Sequence, residues 1–204
     1  MKKGSLIFIF SSIIGPIVIY ISILGLSNSF GIKSILVVRD LAQTCGYPIG
    51  VGLISNLGIL IWAGSAAISL FSSLSGLIEN KENSYFLLLG GILTSIFCLD
   101  DFFLLHDNYI GADFLYITYS SIGIYILIKF RKIIADIDFL AFISSFFFLS
   151  LSIIFDKFIQ EFFPNSYLTV NLVEECFKFI GIICWMNFWL QTSIKSLRTK
   201  KYTF

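Results

Sequence analysis

Seven ionisable side chains interrupt stretches of this chain that are otherwise apolar enough to form membrane-spanning helices. They are Asp100, Asp101, Asp156, Lys157, Glu174, Glu175 and Lys178. A charged side chain in hydrocarbon is costly unless it faces the interior of a bundle, an oppositely charged partner or water. Carboxylates kept in such surroundings can bind cations or exchange protons, so these residues are the first candidates for function.

The composition of the chain is typical of a membrane protein. Of its 204 residues, 57% are hydrophobic and only 13% are charged, against about 25% charged residues in soluble domains. The mean hydropathy is +0.90. The net charge of +1 and the lack of a basic stripe argue against a nucleic-acid partner, and the expected partner is the lipid bilayer.

Six stretches reach the length of about 20 apolar residues that crosses a bilayer as a helix. They cover approximately residues 5–27, 48–77, 85–105, 110–128, 139–163 and 167–191. The pattern predicts an all-α fold, a six-helix transmembrane bundle that forms a single integral membrane domain over residues 1–204. Residues 28–47 are too polar and too short to span, and we expect an interfacial segment there, on the outer side.

The basic residues predict the orientation of this bundle. With the N-terminus inside, ten of them fall on the cytoplasmic side: Lys2, Lys3, Lys81, Lys129, Arg131, Lys132, Lys195, Arg198, Lys200 and Lys201. The outer side keeps Lys33 and Arg39, with Lys157 near the outer end of the fifth span. Because cytoplasmic loops are enriched in Lys and Arg, we expect both termini in the cytoplasm. The expected location is the bacterial cytoplasmic membrane, as a multi-pass protein.

The predicted topology brings polar residues from four spans to one depth. The aspartates that end the third span and Asp156 of the fifth span both lie near the outer ends of outward-running helices. The sixth span runs inward, which places Glu174 to Lys178 about 10–17 Å below its start, at 1.5 Å per residue. Asn56 of the second span lies at a similar depth. A polar site in the outer half of the bundle is therefore predicted.

Helical phase strengthens this prediction. On the sixth span, Asn171, Glu174, Glu175 and Lys178 share one stripe, and Lys178 can pair with either glutamate. The other stripes that we expect to face inward are Gly52, Asn56, Ala63 and Ala67 on the second span, Gly90, Thr94, Cys98 and Asp101 on the third, and Ser145, Ser152 and Asp156 on the fifth. Asp100 lies about 100° from Asp101, so one of the two could instead face a neighbouring helix or the outer surface.

The single histidine, His106, follows the two aspartates at the end of the third span. It could act as a proton gate, as a metal ligand or simply as an interfacial side chain. The candidate ligands for a divalent cation are Asp101, His106, Asp156 and Glu174. On a straight helix His106 lies about 140° from Asp101, so a metal site that uses both requires a distorted helix end.

The run D-D-x-F-x-L-H-D at residues 100–107, followed by E-E-x-x-K at 174–178, resembles a pattern in bacterial multi-pass membrane proteins that have no assigned activity. The resemblance covers a small part of the chain. It implies a six-helix bundle and names neither a ligand nor a reaction.

Three functions fit such a site, and the first is slightly favoured. A cation- or proton-linked transporter would use the carboxylates as ligands, with Lys178 as an internal counter-ion. A metal-dependent enzyme would activate water near a lipid-like substrate. An accessory or assembly subunit would pair its charges with the span of a partner. The simplest alternative to all three is an interhelical ion-pair network that fixes helix register.

Overall fold

The computed structural model describes residues 14, 17–18, 20–38, 45–48, 50–105, 109–159, 162 and 167–198. The described residues are helical apart from short connections. The chain divides into two compact units, Met1–Gly52 and Leu53–Phe204, which are described separately. The prediction of an all-α fold is confirmed at this level. His106 and Asp107 lie outside the described residues.

In the first unit, residues 20–29 are helical and belong to the end of the expected first span. The chain then turns through Phe30 and Gly31, and Gly31 has φ +76°. A short helix, α1, follows at Ser34–Val38. It falls within the segment that the sequence predicts to be interfacial.

The second unit consists of five long helices and one π-helical turn among its described residues. Their bounds are Leu53–Leu74 for α2, Lys81–Phe103 for α3, Ala112–Lys129 for α4, Arg131–Ile154 for α5, Phe155–Ile159 for the π-turn and Tyr167–Arg198 for α6. Each long helix overlaps one of the expected spans 48–77, 85–105, 110–128, 139–163 and 167–191. The expected bounds are wrong for α5, which begins eight residues and ends nine residues earlier, and α6 extends seven residues further.

Three of these helical segments are long and apolar enough to cross a membrane: Leu53–Leu74, Lys81–Phe103 and Arg131–Ile159. Large apolar side chains on their outer faces are exposed, among them Leu60, Phe71 and Leu140. Exposed apolar surface of this extent is unusual for a soluble protein and is what contact with lipid requires.

Local sequence explains where α3 begins and where α5 is interrupted. The Asn80 carboxamide accepts hydrogen bonds from the amides of Glu82 and Asn83 and so caps α3. Within α5, Asp138 has extended backbone angles, φ −162° and ψ 88°, which interrupt the helix. The Asp138 carboxylate accepts from the amide of Ala141 at 2.9 Å. The apolar part of α5 therefore restarts there, close to the expected start of the fifth span at residue 139.

The core lies between α2, α3, α5 and α6 and is largely aromatic. Trp185, Trp189, Phe86, Phe142 and Phe188 are fully buried. Small residues let the helices approach closely, which is a feature of helix packing in membranes. A side chain larger than hydrogen at Gly90 would clash with the Trp189 ring, so the close approach of α3 and α6 requires glycine at that position. Helix α4 packs more loosely than the others, with few contacts to α3 and α5.

Candidate functional site

A cavity of about 360 Å³ opens at the end of the second unit where α3 ends and α6 begins. Every long helix and the π-turn contribute to its lining. The ionisable lining residues are Asp100, Asp101, Asp156, Glu174, Glu175 and Lys178, together with Tyr116 and Tyr119. Five carboxylates and a single lysine therefore share one cavity.

Two side chains contact the Asp101 carboxylate in this cavity. One carboxylate oxygen lies 2.8 Å from the Lys178 ammonium on α6. The other accepts a hydrogen bond of 2.8 Å from the Trp62 indole N–H on α2. Three helices thus meet at one carboxylate, whose side chain is 13% exposed. A charge-assisted pair of this kind, completed by a second donor, satisfies both oxygens.

Asp100 also faces the cavity and is buried. The Tyr119 phenol of α4 interacts with its carboxylate. The two neighbouring aspartates therefore point to the same cavity, although they lie about 100° apart on the helix. Helix α3 ends directly after them, because Leu104 adopts left-handed angles, φ 50° and ψ 49°. A non-glycine residue in this conformation stores about 1 kcal/mol of strain beside the site.

The polar stripe of α6 is present as the sequence pattern predicts. Asn171, Glu174, Glu175 and Lys178 all line the cavity, and each of them is half-buried. Lys178 interacts electrostatically with both glutamates in addition to its close contact with Asp101. A single ammonium is therefore shared by three carboxylates.

At the rim, Asp156 reaches the cavity from the π-turn that follows α5. Its carboxylate accepts a long hydrogen bond of 3.4 Å from the Tyr116 hydroxyl of α4. The next residue, Lys157, lies 3.5 Å from Asp113, also on α4, and its ammonium is 5.8 Å from the centre of the Tyr116 ring. The π-turn thus carries the contacts that join α4 to the end of α5 at the opening. π-Helical turns are frequent at functional sites.

The apolar wall of the cavity is aromatic. Its rings belong to Trp62, Phe97, Tyr119, Phe146 and Trp185. The centre of the Phe97 ring lies 4.9 Å from that of Tyr119, 5.1 Å from that of Trp62 and 5.8 Å from that of Trp185. The Trp185 N–H donates to the Thr94 hydroxyl at 2.8 Å, which fixes that ring against α3.

One predicted site residue that the structure describes is not among those brought together. Asn56 lies on an exposed face of α2, and the cavity is instead lined by Ser55 and Trp62 from that helix. The expected inward stripe of α2 is thus rotated by about one residue, because the Trp62 N–H is directed at Asp101. His106 lies outside the described residues, so its role as a gate or ligand stays a prediction.

The sequence reading missed the aromatic half of the site. Tyr116, Tyr119, Phe97 and Trp62 were not among the candidate residues. A signal was available for two of them, since Tyr116 and Tyr119 share a face of α4 at i, i+3 and lie at the depth of the aspartates.

The described residues offer no ready-made metal centre. Within them, no three His, Cys, Asp or Glu side chains form a group that could hold a metal ion. Of the candidate ligands, Asp101, Asp156 and Glu174 line the same cavity without such convergence. The described carboxylates therefore give the cavity a negative charge that is spread over its lining, and they do not converge on one point as the ligands of a metal ion do.

Comparison with known proteins places the chain in a family. Neither the curated proteins nor the solved structures include a significant match. A family model described as a domain of unknown function (DUF8692) matches residues 13–192, nearly the whole chain, and the protein therefore belongs to that family.

Proposed function

We propose that this protein is a six-span membrane protein of the bacterial cytoplasmic membrane that binds a cation in its acidic cavity and moves it across the bilayer. The observation that carries the proposal is the composition of the cavity: five carboxylates accompanied by one lysine. In a site of low dielectric constant, such a set either takes up protons or attracts a cation.

The position of the cavity supports this proposal. With both termini in the cytoplasm, the end where α3 finishes and α6 begins is the outer end, so the cavity would open to the outside. The excess of Lys and Arg in the predicted cytoplasmic segments favours this orientation.

The Asp101–Lys178 pair supplies a means of coupling. When a cation enters, it competes with the Lys178 ammonium for the carboxylates of α3 and α6. Lys178 would then lose part of its hold on Asp101, which joins α2, α3 and α6. A ligand that alters a contact between helices can change their packing, which is the requirement for alternating access.

Transport is tested with the purified protein in liposomes. Uptake of radioactive rubidium and acidification of the lumen are measured with an imposed potential and with an imposed pH gradient. We expect flux from the wild-type protein, and a loss of at least about tenfold when Asp101→Asn is combined with Glu174→Gln. The matched control is Glu82→Gln, which removes an exposed carboxylate from the other end of α3.

Wild-type flux from the double variant would contradict the proposal. Because Asp101 also holds three helices together, the pair Asp156→Asn and Glu174→Gln is measured as well. This second variant leaves the Asp101–Lys178 contact intact. Unchanged flux in both variants, each shown to be folded by its thermal transition, would mean that the cavity carries no transported ion.

A further inference from the structure

The aromatic wall of the cavity limits what kind of cation it would take. Trp62 and Phe97 have ring centres 5.1 Å apart, and Phe146 and Trp185 are 5.6 Å apart. These rings line the same cavity as the five carboxylates. A bare alkali ion would make use of the carboxylates only and would leave the aromatic rings without a partner.

The size of the cavity agrees with a molecular ligand. Its volume is about 360 Å³, within the range of roughly 300–1,000 Å³ that is usual for small-molecule pockets. A single dehydrated ion occupies only a small fraction of this volume.

We propose that the cavity binds a small organic cation, an amine or quaternary ammonium compound with an aromatic or other apolar body. This inference rests on the cation site proposed above and names its ligand class. The charged group would lie among the carboxylates that line the cavity, and the apolar body against Phe97 and Phe146. Aromatic faces attract cations when water is excluded, and the same rings bury the apolar body.

A zwitterionic lipid headgroup offers the same ammonium but fits less well. Its phosphate would follow the ammonium into a cavity that contains five carboxylates, and like charges at short range repel. The inference is therefore for a free organic cation. Binding of a lipid headgroup is tested separately, by adding phosphatidylethanolamine.

Binding is measured with the full-length protein in nanodiscs of phosphatidylglycerol. The probes are phenyltrimethylammonium, tetramethylammonium and rubidium, with benzoate as the aromatic anion. Trp62 and Trp185 lie in the cavity wall, so their fluorescence reports occupancy. We expect phenyltrimethylammonium to bind at least about tenfold more tightly than tetramethylammonium, a difference of about 1.4 kcal/mol. Benzoate should not bind, and empty nanodiscs correct for partitioning.

Two variants on one helix separate the cavity from the rest of the bundle. Phe146→Leu removes a ring from the cavity wall, whereas Phe148→Leu removes another half-buried ring, which packs on Phe177 instead. The first should lower the affinity for phenyltrimethylammonium about fivefold or more and leave rubidium unaffected. The second should change neither.

The outcomes distinguish this inference from the proposed function. If rubidium or protons move in a manner that depends on Glu174 while phenyltrimethylammonium neither binds nor competes, the organic-cation inference is wrong and the proposed transport stands. If none of the probes binds and nothing is transported, both are wrong. If added phosphatidylethanolamine displaces phenyltrimethylammonium at a few mole per cent, the ligand is a lipid headgroup and the inference of a free cation fails.

Discussion

Two ion pairs in this protein have the same chemistry and very different surroundings. The inner pair, Asp101 with Lys178, has a separation of 2.8 Å and side chains that are 13% and 27% exposed. The rim pair, Asp113 with Lys157, has a separation of 3.5 Å and side chains that are 86% and 35% exposed. The inner pair joins α3 to α6 inside the bundle, and the rim pair joins α4 to the π-turn at the opening.

The two surroundings indicate that the inner pair stabilises the bundle and that the rim pair can separate more easily. Removing one partner of a buried pair leaves a charge without compensation, whereas an exposed pair exchanges its partner for water at little cost. Helix α4 also makes few other contacts with its neighbours. Access to the cavity should therefore depend on the rim pair, and integrity of the fold on the inner pair.

The largest effect is expected from Lys178→Met. The Asp101 carboxylate would keep only the Trp62 donor, and the loss of stability should be about 3 kcal/mol. Thermal unfolding in detergent measures it. Adding Asp101→Asn to this variant should recover more than half of the loss, because the buried charge is gone. A double variant no more stable than Lys178→Met would show that packing, and not charge, holds this contact.

The second effect tests the other partner of Asp101. Trp62→Phe removes an N–H that donates to a carboxylate and should cost about 2 kcal/mol. The matched control is Trp185→Phe, which removes an N–H of equal hydrogen-bond length, 2.8 Å, from the neutral Thr94 hydroxyl. The control should cost about 1 kcal/mol, since hydrogen bonds to charged groups are stronger. Equal losses of stability in the two variants would contradict the idea that the Trp62 N–H donates to a charged, partly buried carboxylate.

At the rim, Lys157→Met should lower stability by less than about 1 kcal/mol. The effect should vanish in 0.5 M NaCl, because salt screens exposed charges. The inner variant should keep its effect under the same conditions. Chemical denaturation at two salt concentrations makes the comparison, and a loss at the rim that is independent of salt would contradict it.

The smallest effect is expected from Tyr116→Phe. Its hydrogen bond to Asp156 is long, 3.4 Å, so stability should fall by no more than about 0.5 kcal/mol. Access should change more than stability. Quenching of tryptophan fluorescence by acrylamide should become faster, because α4 loses its hydrogen bond to the Asp156 carboxylate of the π-turn. Wild-type quenching together with a large loss of stability would reverse the roles assigned to rim and interior.

The part of the site that depends on regular helices could be predicted from the sequence. On α6 the spacing of Asn171, Glu174, Glu175 and Lys178 puts them on one stripe, and the helix is unbroken there. The same reasoning placed Asp101 on the face of Gly90 and Thr94, and both are buried against α6. Periodicity suffices where the backbone keeps 3.6 residues per turn.

The rest depended on features that no periodic pattern contains. The left-handed Leu104 ends α3, and a π-helical turn, Phe155–Ile159, carries Asp156. The inward face of α2 was assigned from small residues, whereas a large residue, Trp62, lies inside because its N–H has a charged acceptor. Which face of a helix lies inward depends on the residues that pack against it, and the spacing of residues within one helix does not show which these are.

The interruption of α5 at Asp138 has a mechanical consequence. The side chain of Gln191 donates to the Asp138 carboxylate, and the Lys195 ammonium donates to the carbonyls of Asp136 and Ile137. These contacts tie the broken end of α5 to α6, while the opposite end of α5 passes into the π-turn. Residues 139–154 therefore form a stiff rod with an irregular joint at each end, and bending at a joint sacrifices fewer main-chain hydrogen bonds than bending elsewhere.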